Sequence, residues 1–127
     1  MDKINTFLNS LEISRLTEEQ YPTLTFPIQE QEVRKTIKGL KLHKAPGEDG
    51  YSSDFYKLCE ETPLLMTMNN ILKNGEIPES WEKAFITLIP KEGQDLTLSK
   101  NYRPISLLNN DYKIFASIMA TRLKYVL

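Results

Sequence analysis

The stretch Ala84-Phe85-Ile86-Thr87-Leu88-Ile89-Pro90 limits what this chain can become more than any other. It is an almost unbroken run of apolar, β-favouring residues closed by a proline, which reads as a strand. Its lack of polar alternation leads us to expect burial on both faces, although period alone does not separate a buried strand from a buried helix. A second extended segment is expected over Tyr102 to Leu108, after a polar loop from Lys91 to Lys100. Strands are therefore few, and they sit late in the chain.

The remainder reads as helix. Ile4, Phe7, Leu8 and Leu11 fall at helical spacing in the first sixteen residues, and Val33, Ile37 and Leu40 do so between Gln29 and Leu40. Pro22 and Pro27 mark the stretch between as a connector, and Gly39 can help the chain leave the second helix. Ser52 or Ser53 is placed to cap a third helix holding Phe55, Tyr56, Leu58 and Cys59. A fourth runs from Thr62-Pro63 to about Lys73, with Gly75 to stop it. In the last helix Asn110 is the expected cap, and Tyr112, Phe115, Ile118, Met119, Leu123 and Val126 are the apolar face. The fold class expected is α/β (α+β), helix-rich, with a short β-sheet.

At 127 residues the chain is the size of one domain or one lobe. Its net charge of -1 gives no bulk attraction to nucleic acid, but the charge is uneven. Residues 1–63 hold eight Lys/Arg against eleven Asp/Glu, whereas 84–127 hold six against three. Cys59 is the sole cysteine and His43 the sole histidine, which excludes an intrachain disulfide and a Cys/His zinc cluster. No apolar run approaches the roughly 20 residues of a membrane span, and Asp2 opens no signal peptide. A soluble, intracellular protein, nuclear or cytoplasmic, is expected.

The residues offer little catalytic chemistry. Nothing in the sequence places His43 beside Cys59 or a serine, so a nucleophile–base pair has no support, and Cys59 reads as a packing residue. Asp49, Asp54, Asp95 and Asp111 are the aspartates that could ligate a metal, yet no two are paired by spacing. Asp49, within Pro46-Gly47-Glu48-Asp49-Gly50, suits a turn whose carboxylate accepts backbone N–H groups, and the glycines suit tight backbone geometry. That turn lacks phosphate-loop spacing. Lys91 directly follows the first strand and Arg103 begins the second segment. Side by side, those segments would bring a mobile point charge and a planar fork of donors to one sheet end, a way of holding polyphosphate.

Three blocks carry a resemblance. They are Lys44-Ala45-Pro46-Gly47-Glu48-Asp49-Gly50 with Asp54-Phe55-Tyr56; Gly75-x-Ile77-Pro78 with Trp81 and Ala84 to Lys91; and Asn101 to Asn109 with Tyr112-Lys113-Ile114 and Ala120-x-Arg122-Leu123. In wording, order and interval they resemble the reverse transcriptase of LINE-1-like non-LTR retrotransposons. The resemblance implies a run-in segment over 1–27 and a partial reverse-transcriptase domain over 28–127, comprising the amino-terminal extension and fingers. It implies that Arg103 and Lys91, with Lys100 in reach, contact the triphosphate of an incoming deoxynucleotide. It implies a structural or template-proximal role for Pro46, Gly47, Asp49 and Gly50. RNA template, DNA primer, Mg²⁺ and a palm region would be the partners of the whole enzyme. The family's catalytic aspartates follow the helix that ends this sequence, so no catalytic or metal-binding residue, and no polymerase activity by itself, is expected of the chain. The alternative expectation is a host-adopted or remnant binding module.

Overall fold

The structure, a computed structural model, describes residues 2–59 and 62–127. Six α-helices among them run α1 Asp2–Ser10, α2 Tyr21–Thr25, α3 Glu30–Lys38, α4 Ser53–Leu58, α5 Thr62–Asn74 and α6 Asn110–Val126. Strands β1 (Phe85–Pro90) and β2 (Tyr102–Leu107) stand between α5 and α6. The molecule is helix-rich with one two-stranded antiparallel sheet, as expected for the fold class.

The core gathers where α3, α5 and α6 meet. Ile28, Val33, Ile37, Tyr56, Met68, Ile114 and Ile118 are buried together, with Leu40, Leu64, Leu65, Leu72 and Phe115 against them. On α6 the buried positions are Asn110, Ile114, Ile118 and Arg122, four residues apart and hence on one stripe. The sequence reading put Leu123 on that stripe instead. Leu123 is exposed, because the helix is rotated by one position to bring Arg122 inward. Ile28 is held from both sides by Asn69 of α5, whose Oδ1 accepts from Ile28 N (2.6 Å) and whose Nδ2 donates to Ile28 O (2.9 Å).

Local signals place most helix ends. The Ser52 hydroxyl accepts from Phe55 N at 3.3 Å and starts α4. Gly75, at φ 73°, ends α5 in the left-handed region, its N–H donating to Ile71 O. Gly39 ends α3 at φ -78°, without using the conformation peculiar to glycine. The expected connector over 21–27 contains the one-turn α2, since Pro22 lies in its first turn, where no backbone donor is lost. Asn110 is not the cap of α6; that position belongs to Asn109.

Ile4, Phe7 and Leu8 are exposed along α1 and Leu11 just past its end, so their spacing makes a helix without placing it on the core. Two expectations of burial fail. Cys59 is exposed rather than packed, as it lies past the end of the short α4. Every residue of β1 is exposed, Ile86 by 68% and Leu88 by 60%. Among the described residues β2 is the only element with which β1 makes an extensive contact, so neither face of this ribbon is covered.

The ribbon's register pairs Phe85 with Leu107, Thr87 with Ile105, Ile89 with Arg103 and Pro90 with Tyr102. One further bond, Lys91 N to Asn101 O at 2.8 Å, prolongs the ladder. Hydrogen-bonded pairs alternate with non-bonded ones along such a ladder. Counting back from Lys91 puts Pro90 and Pro104 in the non-bonded pairs, where their missing N–H would point away from the partner strand.

Candidate nucleic-acid and phosphate-binding site

The residues singled out in the sequence form two groups. Lys91, Lys100 and Arg103 collect where β1 enters and β2 leaves the loop 91–100. Pro46, Gly47, Asp49 and Gly50 lie at the opposite end of the ribbon, against the junction of β2 with α6. Six strand residues separate the two ends by about 17 Å. The structure thus brings the cations together and keeps the turn apart from them.

At the cationic end, pleat alternation carried one residue past Pro90 puts Lys91 on the same face as Arg103. Lys91 Nζ donates to Lys100 O at 2.9 Å, so its charge also closes the loop. The loop is braced from within. Asn101 Nδ2 donates to Asp95 O (2.7 Å), Tyr102 Oη to Leu96 O (2.9 Å), and Asp95 Oδ1 accepts from both Thr97 N and Thr97 Oγ1. Those two Thr97 bonds, led by the hydroxyl, hold the Asp95 carboxyl below its ordinary range. Among the described residues the side chains of Lys100 and Arg103 have no hydrogen-bond or ion-pair partner, and both residues are exposed. Two unspent cations beside a third on a braced loop can receive an anion of several charges.

The turn is built differently. Asp49 Oδ1 accepts from Tyr51 N at 3.0 Å, the carboxylate-to-backbone role expected of it, and Gly50 sits at φ 76°. Gly47 lies in ordinary backbone conformation but against Asn109. A Cβ added there would fall 2.3 Å from Asn109 Oδ1 and 2.5 Å from Asn109 N. Asn109 Oδ1 accepts from Asp49 N (3.1 Å), Asn109 Nδ2 donates to Ser80 O (3.2 Å), and Asn110 Nδ2 donates to Tyr51 O (2.8 Å). A cavity of ≈ 400 Å³ opens here, lined by Glu48, Asp49, Glu79, Ser80, Lys83 and Asn109. Sequence reasoning missed both asparagines, because a carboxamide next to a helix start reads as a cap.

His43, exposed in the loop before the turn, holds φ 57°, a left-handed conformation uncommon outside glycine. A larger cavity, ≈ 720 Å³, opens between α2, α3 and α6 and is lined by none of the candidate residues.

The candidate aspartates do not gather at one place. Asp49, Asp95 and Asp111 each bond to backbone within two residues of themselves, and among the described residues no three His, Cys, Asp or Glu converge as ligands. Likewise, no helix of the described residues is long and apolar enough to cross a membrane.

No protein-family model matches the chain. Relatives are nevertheless clear. The chain is 36% identical over 88% of its length to the transposon TX1 uncharacterized 149 kDa protein of Xenopus laevis, of which it covers 9%. It is 35% identical over 73% of its length to the RNA-directed DNA polymerase from mobile element jockey of Drosophila melanogaster, covering 10% of that protein. Against the retrovirus-related Pol polyprotein from type-1 retrotransposable element R2 of Popillia japonica, the figures are 34%, 77% and 13%. The chain thus spans about a tenth of the length of these relatives. Three transposon proteins matched over most of this sequence fix its kinship: the chain is homologous to a segment of the RNA-directed DNA polymerases of non-LTR retrotransposons.

Proposed function

We propose that the chain is the amino-terminal extension and fingers portion of a LINE-1-like reverse transcriptase, with a run-in over 1–27 and the partial polymerase domain over 28–127. Its part in the reaction is to bind, not to cleave or join. Arg103, Lys91 and Lys100 receive the triphosphate of an incoming deoxynucleotide, and the turn Pro46–Gly50 lies near the template RNA. Mg²⁺ and the catalytic carboxylates belong to the rest of such an enzyme, as the resemblance implies, and Asp49, Asp95 and Asp111 here serve nearby backbone N–H groups.

The observation that carries this reading is Arg103, exposed and without a partner among the described residues, near the end of an antiparallel ribbon that also bears Lys91 and Lys100. A cation kept in water on a strand beside a braced loop contributes little to folding, and its donors are open to phosphate. The test is a titration of labelled single-stranded RNA, and of a deoxynucleoside triphosphate, at two salt concentrations. Affinity should fall with salt, and Arg103→Ala should lower the slope of log affinity against log salt by about one. A binding constant indifferent to both salt and Arg103 rejects the reading.

A further inference from the structure

We propose that Asn109 is a positioning residue that holds the turn from Gly47 to Tyr51, and so the end of the lead-in from Lys41, in the shape that meets RNA. The proposal rests on the nucleic-acid reading above and assigns a role to a residue outside the basic set.

Asn109 stands at the cap of α6, where an Asn side chain ordinarily accepts from the first-turn N–H groups and stabilises its own helix by about 1 kcal/mol. It makes no such bond. Its two amide atoms go instead to two other segments, Oδ1 to Asp49 N and Nδ2 to Ser80 O. The residue is only 2% exposed, so both bonds are sheltered from water. Gly47 packs so closely on it that not even a methyl group fits between them. Next to it, Asn110 Nδ2 reaches Tyr51 O and fixes the far side of the same turn. Two consecutive carboxamides therefore hold Gly47 to Tyr51 against the root of β2.

Ahead of that anchored turn lie two exposed cations, Lys41 and Lys44, with His43 between them at positive φ, while the acids Glu48 and Asp49 sit within the turn itself. A loop carrying such charges would lose ordering entropy whenever it met a phosphate backbone; one fixed beforehand at Asn109 loses less. Asn109 thus sets the geometry of phosphate contacts that it does not itself make.

The test uses the whole 127-residue chain and a fluorescein-labelled single-stranded RNA, with Trp81 near-ultraviolet dichroism to report packing. Asn109→Ala should stay folded yet bind about tenfold more weakly, or ~1.4 kcal/mol, the size of one or two lost hydrogen bonds. Its salt slope should be unchanged because every cation remains, whereas Arg103→Ala lowers the slope. Asn109→Asp supplies the discriminating arm. A neutral carboxyl can accept from Asp49 N and donate to Ser80 O as the amide does, but a carboxylate opposes the Ser80 carbonyl. The affinity of Asn109→Asp relative to wild type should therefore recover as pH falls from about 7 to about 5, the range into which burial raises a carboxyl. Wild-type affinity in a folded Asn109→Ala protein overturns the proposal. If Asn109→Ala does not fold, the absence of that recovery in Asn109→Asp overturns it. Loss of affinity in Asn109→Ala, with binding that falls with salt but is indifferent to Arg103, sinks the triphosphate role proposed above and leaves this inference standing; binding indifferent to salt sinks both. No RNA binding at all sinks both.

Discussion

Arg122 and Glu32, ninety positions apart in the chain, meet in a two-pronged ion pair: Arg122 Nε donates to Glu32 Oε1 at 2.8 Å and Nη2 to Oε2 at 2.7 Å. The same guanidinium donates to the carbonyls of Phe26 and Pro27, while Glu32 also accepts from Gln29 N (2.8 Å). One arginine thereby ties the end of α6 to the start of α3 and to the connector before it.

The two partners are unequally buried: the Arg122 side chain is 7% exposed and the Glu32 side chain 32%. Removing the acid strands a buried cation, so Glu32→Ala should cost about 3–5 kcal/mol. Arg122→Met leaves a carboxylate that water can reach and should cost less, about 1–3 kcal/mol. Urea unfolding of both variants checks the order, and equal costs would contradict it.

Acid should act through the same pair. The Arg122 hydrogen bond, opposed by partial burial, holds the Glu32 carboxyl below its ordinary value of 4.5. A depressed carboxyl stabilises the fold above that value and loses its contribution as pH falls through the lower, folded one. Wild-type stability should therefore decline below about pH 4.5, and more steeply than that of Arg122→Met, when unfolding is followed at stepped pH.

Gly47 and Gly75 should respond to alanine for opposite reasons. At Gly47 the backbone is ordinary and the space is filled by Asn109, so Gly47→Ala should cost about 1–3 kcal/mol through overpacking. At Gly75 the space is open and the φ of 73° is the obstacle, so Gly75→Ala should cost about 1–2 kcal/mol. Asn in place of Gly75 tolerates that φ and should recover part of the loss, whereas Asn at Gly47 should be worse than Ala. Melting curves of the four variants decide it.

Lys91 and Lys100 are separable by what each does beyond carrying charge. Lys91 Nζ closes the loop on Lys100 O, but the Lys100 side chain holds nothing among the described residues. Either change to Met should lower the salt slope of RNA binding by about one. Only Lys91→Met should also hasten amide exchange across residues 91–101, read by hydrogen–deuterium exchange.

Much of this was legible because it is local. The Ser52 cap, the Gly75 stop, both strands, the Asp49 turn and the Val33–Ile37 stripe each follow from a few neighbouring residues. Long-range choices were not. Whether β1 has a covered face depends on what else reaches it, which its own apolar run does not encode. The inward rotation of Arg122 depends on Glu32 ninety residues away, and periodicity reads an arginine as solvated. The candidate cations were found by spacing and resemblance together. Asn109 was overlooked because its role depends on Gly47 and Ser80 arriving beside it.

The two ladder prolines limit how copies of this chain could clump. Each outer rim of the ribbon is missing one donor, at Pro90 on one strand and Pro104 on the other, so a foreign strand could not zip along either rim without a gap. The greasy faces stay free to stick broadside. Such a molecule, when crowded, should form shapeless precipitate instead of ordered fibrils.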